Sequence, residues 1–394
     1  MSEKPGRTEM LPFSRPHIGE EEIAEVVATL RSGWLTTGPR VEAFEKALAQ
    51  YLGGDIHVVA VNSGTAALHL SVLGTGLGPG DEVITTPMTW PATANMIMAA
   101  GARPVFVDID RTTLNLLPDR VVGAVTPRTR AILPVHFAGL CCDMAELAKI
   151  AAEHSLAVIE DAAHALGASC SEGKAGTLGL AGCFSFHPTK PITTGEGGAL
   201  VTRDPALAEK ARILLFHGVT RGARSRASGS GEYEVVELGF KYNMLDLQAA
   251  LGIHQVARID TLRDRRAALA ARYRELLGDL DGDLVFLPPD PPPGWLHSWH
   301  IYVIKLNLER LTIDRSAFRA ALRERMIATG LHYLSLHLQP FYQRELGCRP
   351  EDFPNAAWAS ERVVTLPLFA DMAEEDVAYV AEAVREVLVA NARR

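Results

Sequence analysis

The stretch HVVAVNSGTAALHL, residues 57–70, decides the fold class: a valine-rich run, a polar turn, then a segment of helical composition. A short buried strand that passes at once into a helix is half of a β–α–β unit, and the same alternation repeats outward. DEVIT (81–85) leads into another helical stretch, followed by RPVFVDID (103–110), RAILPVH (130–136), the amphipathic AELAKIAAEH (145–154) and LAVIEDA (156–162). From about Val58 to Val201 this pattern predicts an α/β layer on a mainly parallel sheet. Ligands of such sheets sit at the carboxyl ends of the strands, so the residues directly after each strand carry the functional expectations.

Beyond the sheet, a long helical periodicity runs from near Asn243 through ARYRELLGDL (271–280), with one interruption. PPDPPPG (288–294) is a stiff extended connector. A strand in WHIYVIKL (299–306), a helix in DRSAFRAALRERM (314–326), an irregular GLHYLSLHLQP (330–340) and a last helix from Glu374 predict a smaller α+β domain. The expected division is a large domain with an N-terminal arm over 1–255 and a small C-terminal domain over 256–394. RGARSRASGSGE (221–232) reads as a mobile flap, and no internal repeat is present.

Composition narrows the function classes. With 394 residues, 47% hydrophobic and 22% charged, the chain is too long for one small module and too apolar for disorder. A net charge of −8 provides no overall field for nucleic acid or an acidic membrane surface. No signal-peptide core and no run of 18 uncharged apolar residues is present, so a soluble, cytoplasmic protein is expected. The five cysteines, with Cys141 and Cys142 adjacent, form neither a disulfide framework nor a metal knuckle.

Several familiar motifs fail. GTGLGPG (74–80) precedes a strand and reads as a turn, and Gly167 to Lys174 has the wrong spacing for a Walker loop, with Ala175 at the magnesium position. Neither a GxSxG elbow nor HExxH occurs. His297 and His300, three apart on an expected strand, would face opposite sides, so no metal site is expected.

One constellation remains. Gly64, Thr65 and Ala66 follow a strand and open a helix, where free N–H groups and a hydroxyl make a phosphate seat; alone, the pattern is also an ordinary helix cap. LAVIE ends in Glu160 and Asp161, and an acid there can hold a cationic ring nitrogen, with His164 one helical turn on beside the same ligand; Asp161 reads equally well as a helix N-cap. GCFSFHPTKPITTGEGGALVT (182–202) puts Lys190 in a glycine-rich turn between two apolar segments, a setting that suits a partly desolvated Schiff-base lysine as well as a solvated one. Glu196 is expected to brace that turn through backbone N–H groups. Trp90, after DEVIT, could stack on a flat ring or simply fill the core. Phosphate seat, strand-end acid and turn lysine together match the needs of pyridoxal 5′-phosphate (PLP).

At these residues the sequence resembles the DegT/StrS family of PLP-dependent nucleotide-sugar aminotransferases. The likeness runs through SGWLTTGP, NSGTAALH, VIEDAAHALGA, SFHPTKPITTGEGG, FKYNMLDLQAALG, TGLHY and TLPLF. Within the family, SGW, EDAAHA, KYN and LPLF look closest to UDP-4-amino-4-deoxy-L-arabinose–oxoglutarate aminotransferase, while KPITTGEGG looks at least as much like enzymes that aminate 4-keto-deoxyaminosugars. The resemblance implies PLP-dependent transferase fold type I, the aspartate aminotransferase fold. It implies Lys190 as the Schiff-base lysine, Asp161 on the pyridinium nitrogen, and Thr65, Ala66 and Ser185 on the phosphate. It further implies Trp90 on the ring face and His164 near the ring hydroxyl. His332 and Tyr333 fall near the sugar pocket, and Asn243 of a neighbouring subunit completes the phosphate site, which implies a homodimer. The expected reaction takes an amino group from glutamate to a nucleotide-linked 4-keto sugar, in lipopolysaccharide or another glycan pathway. Arg221, Arg224 and Arg226 are candidate contacts to the sugar nucleotide's diphosphate. Two rival readings share the fold: a sugar dehydratase, which would normally lack the lysine, and a non-catalytic binding or regulatory descendant.

Overall fold

The β-branched runs assemble into one seven-stranded sheet in a computed structural model that describes residues 7–220 and 233–393. In chain order the strands are β1 (His57–Val61), β2 (Glu82–Thr85), β3 (Arg103–Phe106), β4 (Thr129–Leu133) and β5 (Ala157–Asp161). A small hairpin of β6 (Ser169–Cys170) and β7 (Gly173–Lys174) follows, then β8 (Ala181–Ser185) and β9 (Gly198–Thr202). The sheet order is β1-β9-β8-β5-β4-β2-β3. Every pair from β8 to β3 is parallel, and only β9 runs against its neighbours. The mainly parallel α/β sheet read from the sequence is the one observed.

Alternation along the strands feeds two cores. Val58 and Ala60 of β1 pack with Phe44, Leu48, Leu147 and Ala249 on one face, while Val59 and Val61 pack with Ala67, Leu70 and Leu207 on the other. Helices Pro39–Leu52, Met144–His154 and Asp246–Val256 cover the first face, and Gly64–Gly74 and Pro205–Leu214 cover the second. Because β1, β5 and β8 run the same way, the residues after Val61, Asp161 and Ser185 emerge at one edge.

The helical periodicity after Asn243 resolves into Asp246–Val256 and Ile259–Leu277, with the expected single break. The second helix starts on the sheet's core at Ile259 and Leu262 and ends in another core at Leu269, Tyr273 and Leu277. That second core surrounds an antiparallel sheet of β10 (Val285–Phe286), β11 (Tyr302–Leu306) and β12 (Val363–Leu366), packed by helices Arg315–Glu324 and Glu374–Ala390. Leu11 of the N-terminal arm joins it, its N–H donating to the Met326 carbonyl at 2.8 Å. β11 begins at Tyr302 rather than Trp299, because Trp299 has φ +48° and interrupts the extended backbone. His297 and His300 therefore lie before the strand, and its two-residue alternation does not govern them. Among the described residues all five cysteines are free, no metal-ligating cluster occurs, and no helix is long and apolar enough to cross a membrane.

Glu160 anchors the loops beneath the site. Its carboxylate accepts from His136 Nε2 at 2.8 Å and from the N–H groups of Gly176, Leu178 and Gly179 at 2.7, 2.6 and 2.7 Å, with Glu160 and His136 themselves fully buried. The Cys142 N–H donates to His136 Nδ1 at 3.0 Å, which leaves the ring proton on Nε2, facing Glu160. Glu160→Ala would strand these donors in the interior and should cost about 3 kcal/mol or more. Urea denaturation of the two full chains measures it, and a loss below about 1 kcal/mol would contradict this role.

Candidate active site

The carboxyl edge of the sheet opens into a cavity of about 380 Å³ where the three sequence elements meet. Its wall includes Gly64, Thr65, Trp90, Asp161, His164, Ser185, Lys190, His332 and Tyr333. Nine of the eleven residues singled out from the sequence thus border one space, and Ala66 and Asn243 do not.

The helix Gly64–Gly74 starts beside the end of β8. A Cβ on Gly64 would lie 2.8 Å from Ser185 Cβ, and one on Gly198 would lie 2.5 Å from the Gly64 nitrogen, so glycine at both positions permits this close approach. Ser63 is the N-cap and its Oγ accepts from Ala66 N–H at 3.1 Å. This corrects one expectation: the Ala66 N–H is already held and Ala66 is buried, leaving Gly64 and Thr65 as the N–H groups at the cavity wall. The positive end of the helix still points there.

Asp161 closes β5 with no helix after it; a turn follows, so its helix-cap reading fails and His164 lies on a turn. Asp161 Oδ2 accepts from Thr93 Oγ1 at 2.7 Å and Oδ1 from the Ala163 N–H at 3.2 Å. Burial raises its pKa above the usual carboxylate range, and the Thr93 and Ala163 bonds oppose that. No cation lies within ion-pair distance of this carboxylate among the described residues, so a positively charged ligand atom would compensate it.

Lys190 stands in the turn between β8 and β9. Its amine is walled in yet open to the cavity, and burial pushes its pKa down to about 8, with Asp161 pulling the other way. The turn is braced by Thr193, whose hydroxyl donates to the Phe186 carbonyl at 3.0 Å, and by Thr194, which donates to the Glu196 carbonyl at 2.7 Å. Glu196 thus contributes its backbone, while its exposed side chain borders the cavity, a correction to the bracing expected of that side chain.

Trp90 is 62% exposed at the cavity rim, which excludes the core-packing reading. Tyr333 Oη lies 2.8 Å from His164 Nε2, and His332 Nδ1 lies 2.7 Å from Thr365 Oγ1. Burial holds His332 down to about 4 and His164 well below its usual range, so both rings are neutral. Asn243 bridges Val61 and donates from Nδ2 to Thr37 Oγ1 at 2.8 Å, outside the Lys190 cavity of its own chain. Arg221, Arg224 and Arg226 lie outside the described residues.

Sequence reasoning missed Thr93, the side-chain partner of Asp161, and His300, whose ring centroid is 4.5 Å from that of His164. Thr93 sits in helix Pro91–Ala99, where no local pattern separates it from its threonine neighbours. His300 was set aside by a strand alternation that the backbone at Trp299 does not follow.

The DegT/DnrJ/EryC1/StrS aminotransferase family matches residues 16–385. The chain belongs to this family. This aminotransferase is 46% identical over 385 residues to the spore coat polysaccharide biosynthesis protein SpsC of Bacillus subtilis, covering 97% of the chain and 98% of SpsC. It superposes with a TM-score of 0.89 on the putative sugar aminotransferase Spr1654 of Streptococcus pneumoniae, solved in a pyridoxamine phosphate form, at 34% identity and covering 96% and 99% of the two chains. The PLP form of Spr1654 gives the same TM-score. Helicobacter pylori PseC, an aminotransferase of pseudoaminic acid biosynthesis, matches at TM-score 0.89 and 30% identity over 97% of this chain and all of PseC. The sugar aminotransferase fold expected from the resemblance is therefore the fold of this chain.

Proposed function

We propose that this aminotransferase carries an amino group from glutamate to a nucleotide-linked 4-keto sugar, with PLP seated in the Lys190 cavity. The carrying observation is the convergence of a buried, unpaired carboxylate, an amine shifted to about 8 and a helix N-terminus on one 380 Å³ space. That donor set suits PLP: Asp161 for a cationic ring nitrogen, Lys190 for an aldehyde, and Gly64, Thr65 and Ser185 for a phosphate. PLP, when bound, supplies an electron sink and a carrier for the amino group.

The chain's residues supply the rest. Lys190 Nζ holds the carrier at rest and, once released by the donor, moves a proton at the reacting carbon. Asp161, fixed by Thr93, keeps a positive charge opposite its carboxylate. Trp90 would stack on the ring, and His164 would hold its hydroxyl side. His332 and Tyr333 border the space left for the sugar. Asn243 of the partner subunit completes the phosphate seat in a homodimer, a reading supported by Val235, Val236 and Leu238, exposed at 68%, 54% and 82%. The retained lysine favours transamination over the dehydratase and binding-protein alternatives. The polysaccharide role named for SpsC supports a place in glycan biosynthesis, lipopolysaccharide included.

The lysine's shift sets a pH dependence. Only the neutral amine attacks an aldehyde, and burial favours that form, lowering the pKa from 10.5 to about 8. Uptake of PLP by the unloaded chain should therefore quicken as pH rises towards 8 and level off above it. A rate still climbing steeply at about pH 10, as for an unperturbed lysine, would contradict the desolvated setting. The function itself is tested by incubating the holoenzyme with glutamate and UDP-, dTDP- or GDP-linked 4-keto sugars and scoring 2-oxoglutarate. Turnover with one nucleotide class is expected, and no 2-oxoglutarate beyond the one equivalent per active site that glutamate alone releases, with any of them, would refute the substrate class.

A further inference from the structure

We infer that Arg266 is a positioning residue for Lys190: from the helix that joins the two cores, its guanidinium holds the Pro191 carbonyl and so fixes where the neighbouring amine stands in the cavity. The inference rests on the reading of Lys190 as the residue that takes up PLP.

Arg266 lies in helix Ile259–Leu277 between Leu262, packed in the sheet's core, and Leu269, packed in the second core. It is buried, and its Nη1 donates to the Pro191 carbonyl at 3.0 Å. Nε is buried with no acceptor among the described residues. Nor does any carboxylate among them come within ion-pair distance; Asp371, the acid that acts on Arg266 from farther off, is paired with His17 at 2.5 Å. Burial pulls the guanidinium's pKa down to about 10, which leaves it charged at neutral pH. A buried cation without a counter-charge weakens a fold, so packing alone does not account for an arginine here.

What the guanidinium reaches is the peptide next to the lysine. Proline fixes its own φ and confines the residue before it, so a bond on the Pro191 carbonyl restrains Lys190 through a stiff link. The back of the turn is closed as well. Ile192, Thr193 and Thr194 are buried, the Thr193 N–H donates to Gln255 Oε1 at 3.3 Å, and a Cβ on Gly252 would lie 2.9 Å from Thr194 Cγ2. Lys190 donates its own N–H to the His187 carbonyl at 2.9 Å. The turn is thereby held from behind by helices Asp246–Val256 and Ile259–Leu277, and Arg266 supplies the charge-assisted bond closest to the amine's own peptide.

Arg266→Met removes the donor and the charge while keeping much of the volume. In the unloaded full chain, an amine no longer held in place relaxes towards water and its pKa rises. The pH at which PLP uptake levels off should therefore move up by about one unit. In the holoenzyme, kcat per PLP-loaded site should fall about 10- to 100-fold, as for a displaced reacting group, with the KM for glutamate near the parent value. The urea midpoint should stay close to the parent's, because a buried charge leaves together with its bond. Arg266→Lys keeps a cation and a donor, so it should recover part of the rate and shift the uptake profile less. An unmoved uptake profile in Arg266→Met, or a kcat per loaded site within about threefold of the parent, would assign Arg266 to packing and overturn the inference. If the methionine variant does not fold, the same two readings on Arg266→Lys decide, and parent values in both would overturn it. A parent chain that takes up no PLP would instead defeat the reading of Lys190.

Discussion

Lys190→Ala is expected to lower turnover by about 10⁴-fold or more, because one side chain is asked both to hold the carrier covalently and to move the proton. The structure makes replacement of that amine from elsewhere difficult. The other nitrogen bases around it are His164, His187, His300 and His332, and burial lowers the pKa of each. Three of them already pack against another ring of the wall, and His187 Nδ1 lies 3.0 Å from the Thr189 hydroxyl. Steady-state release of 2-oxoglutarate measures the loss. Partial recovery on adding a small primary amine would show that the cavity is intact and only the amine is missing. Steady turnover near the parent rate would refute the assignment of Lys190.

Asp161→Ala is expected to keep some bound cofactor while losing about 10²–10³-fold in kcat. The carboxylate sits at the end of β5, 5% exposed, fixed through Thr93 and the Ala163 N–H. Removing it takes away the buried carboxylate that, in this proposal, keeps a ring nitrogen positive. Asp161→Asn separates charge from shape, since it retains the volume and part of the hydrogen bonding. It should lose nearly as much rate as the alanine variant, and a rate within about threefold of the parent would show that the charge is not needed.

The parts of the site legible in the sequence were those carried by strand ends. Asp161, Ser185 and Gly64 follow apolar runs whose alternation and burial are strong signals, and a parallel sheet brings such ends to one edge. Lys190 was legible because a lysine in a turn of glycines and threonines is costly to justify as surface. Thr93 was not, since its role depends on how a helix starting at Pro91 meets β5, a contact between segments 68 residues apart. Ala66 was misread for a local reason: the serine before the helix takes its N–H, and which N–H a cap claims depends on the side-chain rotamer. His300 was hidden by the positive φ of Trp299, a backbone feature that periodicity arguments assume away. The contact between His164 and Tyr333, 169 residues apart in the chain, exists only in the folded wall.

The central claim is that the amine of residue 190 is joined to PLP at rest, with the carboxylate of residue 161 against the same ring. Borohydride reduction of the yellow holoenzyme, followed by proteolysis and mass spectrometry, tests it most directly. The account predicts one reduced pyridoxyl adduct, on the peptide containing Lys190, and none in Lys190→Ala. An adduct on another lysine, or none on a protein that still turns over, would contradict it.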